Sequence, residues 1–220
     1  LNYYPSEVLT LNAGMSCKLY NVNPGSKTPL TSESIVKSDE LSHEKGLETA
    51  LYASSQYNLN EDLQLYAGLR YVVFNALGPK DVYQYLSGSP KNGETINDSI
   101  NFTNGAVIKT YHGPEWRFSA RYTLNSTSSV KAGISRTRQY IHSLSNSASL
   151  SPTDTWRLSG YHLMPQSADQ VSLGYFKNLF RNTIEVSVEG YYKWMDNLVD
   201  FKTGADFLLN ENIERVALQG

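Results

Sequence analysis

Side chains able to do chemistry are scattered along this sequence, and their spacing limits what they can do. Glu185 and Glu189 come nearest to a carboxylate pair. They sit two alternations apart on one β-prone run, too far for a tight acid pair. The four histidines, His43, His112, His142 and His162, fall in or beside expected loops, show no paired spacing and have no cysteine nearby, so no metal site is readable. Cys17 stands alone, which rules out an intrachain disulfide and favours packing over reactivity. Asp154 and Trp156 suggest a sugar contact by ring stacking, but Pro152-Thr153-Asp154 also reads as turn chemistry. Asn101-Phe102-Thr103 and Asn125-Ser126-Thr127 match the glycosylation sequon, a pattern that would mean nothing if the chain were bacterial. Without a catalytic constellation, the expectation is a non-enzyme with no cofactor and no metal. The chemistry that remains is a set of charges alternating with apolar residues: Arg70, Arg117, Arg121, Lys131, Glu185 and Glu189.

The elements that position them have a period of two. From Asp169 to Tyr175, Val171, Leu173 and Tyr175 oppose Gln170, Ser172 and Gly174. After a tight turn at Asn178 to Asn182, Ile184, Val186, Val188, Tyr192 and Trp194 oppose Glu185, Ser187, Glu189 and Lys193. A strand with one apolar and one polar face lies at a boundary between two media. Either the apolar face covers a core, or it meets lipid while the polar face lines a wet lumen.

The same pattern recurs from the start. A first strand is expected over Glu7 to Lys18, then strands over Lys45 to Tyr57 and Asp62 to Phe74, joined by the short polar link Asn58 to Glu61. Pro114 to Leu124 alternates most clearly, with Trp116, Phe118, Ala120, Tyr122 and Leu124 against Arg117, Ser119, Arg121 and Thr123. A turn at Asn125 to Ser128 leads to a strand over Ser129 to Tyr140, and Asp206 to Gly220 is expected as a last one. Between these lie long stretches of loop composition near 19–43, 75–113 and 141–167 and a shorter one from Met195 to Ala205.

Composition narrows the class. Formal net charge is −2, with no basic footprint of a nucleic-acid binder. Mean hydropathy is −0.41, and no apolar run reaches the length of a transmembrane helix, which leaves a β-barrel open. The 16 tyrosines favour strands, sugar-binding faces or membrane interfaces without choosing among them. Both ends stop abruptly, Leu1-Asn2-Tyr3-Tyr4 without a leader and Val216-Ala217-Leu218 in a strand-like pattern, so the chain reads as a fragment over 1–220.

Connections alternate long and short between about eight strands. That is the habit of transmembrane barrels, which have short turns at one rim and long loops at the other. Aromatics at Tyr57, Trp116, Tyr122, Tyr175, Tyr192 and Trp194 end the apolar faces as interfacial girdles do. The expected fold is therefore all-β, with antiparallel up-and-down strands forming part of a large transmembrane barrel. A soluble β-sandwich that binds glycans through its Tyr and Trp residues is the alternative; an adhesin or autotransporter barrel is disfavoured by long loops at only one rim.

Several ordered stretches resemble the barrel of TonB-dependent outer-membrane receptors, particularly those of Bacteroidetes. They include Leu47-Glu48-Thr49-Ala50-Leu51-Tyr52, Ala67-Gly68-Leu69-Arg70-Tyr71, Arg138-Gln139-Tyr140-Ile141-His142, Ser151 to Trp156, Met164-Pro165-Gln166, Gln170 to Tyr175 and Glu189-Gly190-Tyr191-Tyr192-Lys193. The resemblance implies a barrel of about 22 strands around an N-terminal plug that is not recognisable in this chain. It implies import of a scarce nutrient (an iron chelate, cobalamin or an oligosaccharide) across the bacterial outer membrane. Outer-membrane lipid, the receptor's own plug, TonB and a small nutrient would be the partners, with no nucleic acid. Arg70, Arg117, Arg121, Lys131, Glu185 and Glu189 would then face the lumen, its plug and its ligand path.

Overall fold

The computed structural model describes all residues except 36–38, 41, 90–92, 145–154, 181–182 and 200–220. Among the described residues the chain is all-β apart from a single 3-10 turn, Gly93–Thr95. Its strands are β1 (Asn2–Ser6), β2 (Leu9–Val22), β3 (Ser26–Lys27), β4 (Asp39–Glu40), β5 (Glu44–Asn58), β6 (Leu63–Leu77) and β7 (Lys80–Tyr85). There follow β8 (Ile96–Phe102), β9 (Val107–Asn125), β10 (Ser128–Gln139), β11 (Ile141–Leu144), β12 (Thr155–Leu158), β13 (Gln166–Leu179) and β14 (Ile184–Asp196).

Eight of these form one antiparallel sheet in the order β1-β2-β5-β6-β9-β10-β13-β14, while β3-β4, β7-β8 and β11-β12 are two-stranded hairpins. Sheet neighbours always follow one another in the chain apart from the inserted hairpins, so the arrangement is up-and-down. Every short turn lies at one rim, where side chains replace backbone partners. The Asn60 carboxamide oxygen accepts from the N–H groups of Asp62 and Leu63 at 3.0 and 2.7 Å, and that of Asn125 accepts from the Thr127 N–H at 3.0 Å. The long connections all leave from the opposite rim.

Alternation gives the sheet two unlike faces. One carries Met15, Leu51, Leu69, Phe118, Ile134, Leu173, Val188 and Tyr192, all exposed; Leu173 is 61% and Val188 70% accessible. No second sheet covers that face among the described residues. The other face carries the charges, and near the long-loop rim it is buried: Val72 and Phe74 are 0% accessible and pack with Ala50, Ala76, Val82, Ile108, Tyr140 and Leu158. The Phe74 ring stacks on Tyr140 at 4.7 Å. The core is thus hairpin against sheet, with β7 and β12 folded onto the upper part of the polar face.

Several expectations need correction. Residues 75–113 are not structureless: β6 runs on to Leu77, β9 begins at Val107, and the β7-β8 hairpin lies between. Likewise 141–167 contains β11 and β12, and β13 starts at Gln166. Strands of four to seven residues among Gly and Pro are too short to show a period. The first long strand is Leu9–Val22 rather than Glu7 to Lys18, and β1 precedes it, so the eight-stranded sheet includes an element the pattern missed. The strand expected over Asp206 to Gly220 lies outside the described residues.

Candidate functional site

The polar face divides into two halves. Near the long-loop rim its charges are engaged with each other. Glu48 is 4% accessible; its Oε1 meets Arg70 Nη2 at 2.6 Å and Lys18 Nζ at 3.4 Å, and its Oε2 accepts from the Tyr20 hydroxyl at 2.7 Å. Arg70 extends its other Nη to Glu115 Oε2 at 2.8 Å, and Glu115 Oε1 accepts from the Arg138 N–H at 2.9 Å. Four strands, β2, β5, β6 and β9, are linked by this chain of charges, and β10 joins it through the Arg138 backbone N–H. The guanidinium's several N–H donors let it serve both carboxylates at once. The Arg138 guanidinium donates to the His112 carbonyl at 2.6 Å and crosses the space that a side chain at Gly113 would occupy.

Higher still, Glu44 ties the two hairpins to the sheet. Its Oε1 meets Lys80 Nζ of β7 at 2.8 Å and Arg157 Nη2 of β12 at 3.1 Å, and its Oε2 accepts from the Leu158 N–H at 2.6 Å. Three donors compensate a carboxylate that is only 7% accessible. Beside it lies a cavity of about 90 Å³ edged by Lys80, Tyr83, Tyr85, Arg157, Tyr161 and His162. His162 donates through Nε2 to the Tyr83 carbonyl at 2.7 Å, and its ring meets Tyr161 and Tyr85 edge-on at 4.9 and 5.4 Å. His142 of β11 is 1% accessible, with Nε2 2.9 Å from Ser159 Oγ and no partner for Nδ1. Burial holds its pKa down at about 4, against an upward pull from the Glu44 carboxylate.

Toward the short turns the face is open. Strand register puts Arg117 opposite Gly68 and Ser135, Arg121 opposite Gln64 and Lys131, and Lys131 opposite Gly174, which in turn faces Glu189. Glu185 faces Asn178. All six charges expected to share one face therefore do share it with Glu48 and Phe74. Only Arg70 among them belongs to the ion-paired half. Arg117, Arg121, Lys131, Glu185 and Glu189 form no ion pair among the described residues.

The other sequence candidates disperse. His112 lies inside β9 rather than in a loop, on the apolar face, with Nδ1 2.6 Å from the Tyr71 hydroxyl. Trp156 sits in β12 and is 48% accessible, whereas Asp154 lies outside the described residues. Cys17 is exposed, on a sheet position with Met15 and Leu19. Among the described residues no three His, Cys, Asp or Glu side chains gather as metal ligands do. The sequence reading passed over Glu44, Glu115, Tyr20 and Arg138. Glu115 was accessible from the pattern, since it alternates with Arg117. Glu44 and Arg138 were not, because their partners are brought in by folding.

The apolar face has its own charged seam. Arg136 pairs with Asp169 at 3.1 Å and lies over the Trp116 ring at 4.9 Å, at the end of the exposed apolar band toward the long-loop rim. Trp194 stands opposite Asp169 on β14. Amphipathic rings and a screened ion pair suit the level where hydrocarbon meets water.

Solved structures with this geometry exist at low sequence identity. The FrpB iron transporter from Neisseria meningitidis superimposes with a TM-score of 0.56 at 12% identity, over 94% of this chain and 28% of that one. The copper transporter OprC does so with 0.53 at 14% identity, over 88% of this chain and 29% of that one. The chain thus spans less than a third of the length of either structure. At such identity these likenesses show a shared fold. No curated relative matches the sequence. The pattern of the family described as TonB dependent receptor-like, beta-barrel matches residues 9–220. The match covers the up-and-down strands with short turns at one rim, an open apolar face and a charged opposite face, and the chain belongs to the TonB-dependent receptor β-barrel family.

Proposed function

We propose that this chain is wall of a receptor barrel in the bacterial outer membrane that binds and imports a scarce nutrient, an iron chelate, cobalamin or an oligosaccharide. The observation that carries this reading is the apolar face, left exposed on every long strand from β2 to β14, as lipid-facing positions are. Family membership supports a receptor or transporter role rather than an enzyme. In this reading the polar face lines the lumen. Arg70, Arg117, Arg121, Lys131, Glu185 and Glu189 face the plug and the ligand path, and TonB acts through parts of the receptor beyond residues 1–220. The ordered stretches from Leu47 to Lys193 support a receptor of the Bacteroidetes type.

The test is made on the full-length receptor in its native cell. It is expected to fractionate with the outer membrane, to migrate differently on a gel before and after boiling, and to be needed for uptake of one nutrient. Material that stays soluble without detergent and migrates identically in both states would sink the reading.

A further inference from the structure

We propose that Arg121 and Lys131 form an anion site on the polar face, one that takes a carboxylate or phosphate group. The proposal rests on the reading of that face as a lumen wall. From the level of Arg117 down to the short turns, the polar-face positions of β2, β5, β6, β9 and β10 hold no carboxylate. Their only charges are those of Arg117, Arg121 and Lys131.

Arg121 and Lys131 are direct cross-strand partners. Like charges so placed repel each other and destabilise a sheet. Farther up, Lys18 and Arg70 are each matched by a carboxylate at 2.6 to 3.4 Å. Here no carboxylate comes within ion-pairing distance among the described residues. Glu185 and Glu189 lie on β14, two strands from Lys131, with the Glu189 chain leaning over Gly174; Glu61 and Asp62 in the β5-β6 turn and Glu7 in the β1-β2 turn edge a second hollow that Arg121 also lines. None pairs with the three cations.

Around the pair the wall opens into a basin of about 600 Å³ lined also by Gln64, Ser119, Thr123 and Ser129, with Glu185 on its β14 side. The first four are neutral hydrogen-bonding side chains suited to the remaining oxygens of an anion, and Glu185 forms no ion pair with Arg121 or Lys131 among the described residues. Arginine supplies a planar fork for two oxygens of one group, and lysine a point charge beside it. An anion held there removes the repulsion that the bare pair carries.

Two sources share this chemistry: a free anion, or a carboxylate from the receptor's own chain beyond residues 1–220. The experiment uses the full-length receptor purified from the outer membrane, unfolded thermally with citrate as probe and sodium chloride at equal ionic strength as control. A free-anion site is expected to raise Tm by about 2 °C in citrate for the wild type, with no response in R121Q/K131Q. A site filled from within leaves the wild type indifferent to citrate, lowers Tm by about 2 °C in R121Q/K131Q, and keeps it unchanged in R121K/K131R. Should the double variant not accumulate, Lys131→Gln alone is measured in the same way. The proposal is overturned if the citrate response survives in R121Q/K131Q. It is equally overturned if citrate does nothing and the neutralised receptor is as stable as the wild type or more so. A receptor that never reaches the outer membrane tells against the lumen reading itself, a separate failure.

Discussion

The two halves of the polar face are built from the same residue types and end in opposite states. Toward the long loops, Glu44, Glu48, Arg70 and Glu115 are paired, hydrogen-bonded and roofed by hairpins. Toward the short turns, Arg117, Arg121, Lys131, Glu185 and Glu189 stand without ion pairs among the described residues. The difference comes from desolvation. Where Phe74 and Leu158 exclude water, an unpaired charge costs several kcal/mol and each charge has to find its partner. Where water reaches, charges remain single at little cost and stay available to a ligand or a neighbouring segment.

That contrast breaks most sharply at Glu44. Glu44→Ala leaves the Arg157 and Lys80 cations without their shared carboxylate, and it is expected to lower the free energy of local opening of the β7-β8 and β11-β12 hairpins by about 4 kcal/mol. Amide hydrogen exchange on the full-length receptor measures it, and unchanged protection of both hairpins would refute the latch. Next in size is Phe74→Ala, which removes a ring with 0% accessibility stacked on Tyr140, for an expected loss of about 3 kcal/mol in the same exchange experiment.

His142 adds a pH dependence to the roofed half. Inside the closed hairpin the imidazole is held neutral down to about pH 4, whereas in the opened hairpin it titrates at its ordinary value of 6.5. The open state therefore binds more protons between these two pH values. Protection of β11-β12 is full above about 6.5, declines as pH falls, and is lost by up to about 3 kcal/mol near 4. His142→Gln should flatten that slope once intrinsic exchange rates are corrected for, and a slope that persists would assign it to other groups.

Arg70 sits at the border of the two halves, with its side chain 28% exposed. Arg70→Gln is expected to cost about 1–2 kcal/mol in protection of β5, β6 and β9, less than a fully buried pair because solvent screens it. Arg117→Gln is expected to change exchange protection by less than about 0.5 kcal/mol, as for an ordinary exposed residue. If Arg117 proved as costly as Arg70, the open half would not be open.

Much of this was legible without coordinates. Period two in Pro114 to Leu124 and in Ile184 to Trp194 sets which side chains share a face, because successive strand residues point oppositely. All six charges singled out from the sequence accordingly lie on one face. Asn60 and Asn125 announced their turns because a short carboxamide replaces missing backbone partners. The β7-β8 and β11-β12 hairpins were not legible, being shorter than the window over which a period shows. Nor was the burial of His142, which depends on a hairpin closing over it.

The amino-acid order alone therefore settled the strand class, the two unlike faces and the rim at which each connection lies, since all three follow from local backbone geometry. Only the tertiary structure decided which charges on the polar face are spent on each other and which are left open. Glu44 and Leu158 are separated by 114 positions in the chain and meet at 2.6 Å. Distances of that kind are set by how hairpins fold back onto a sheet, and no local pattern contains them.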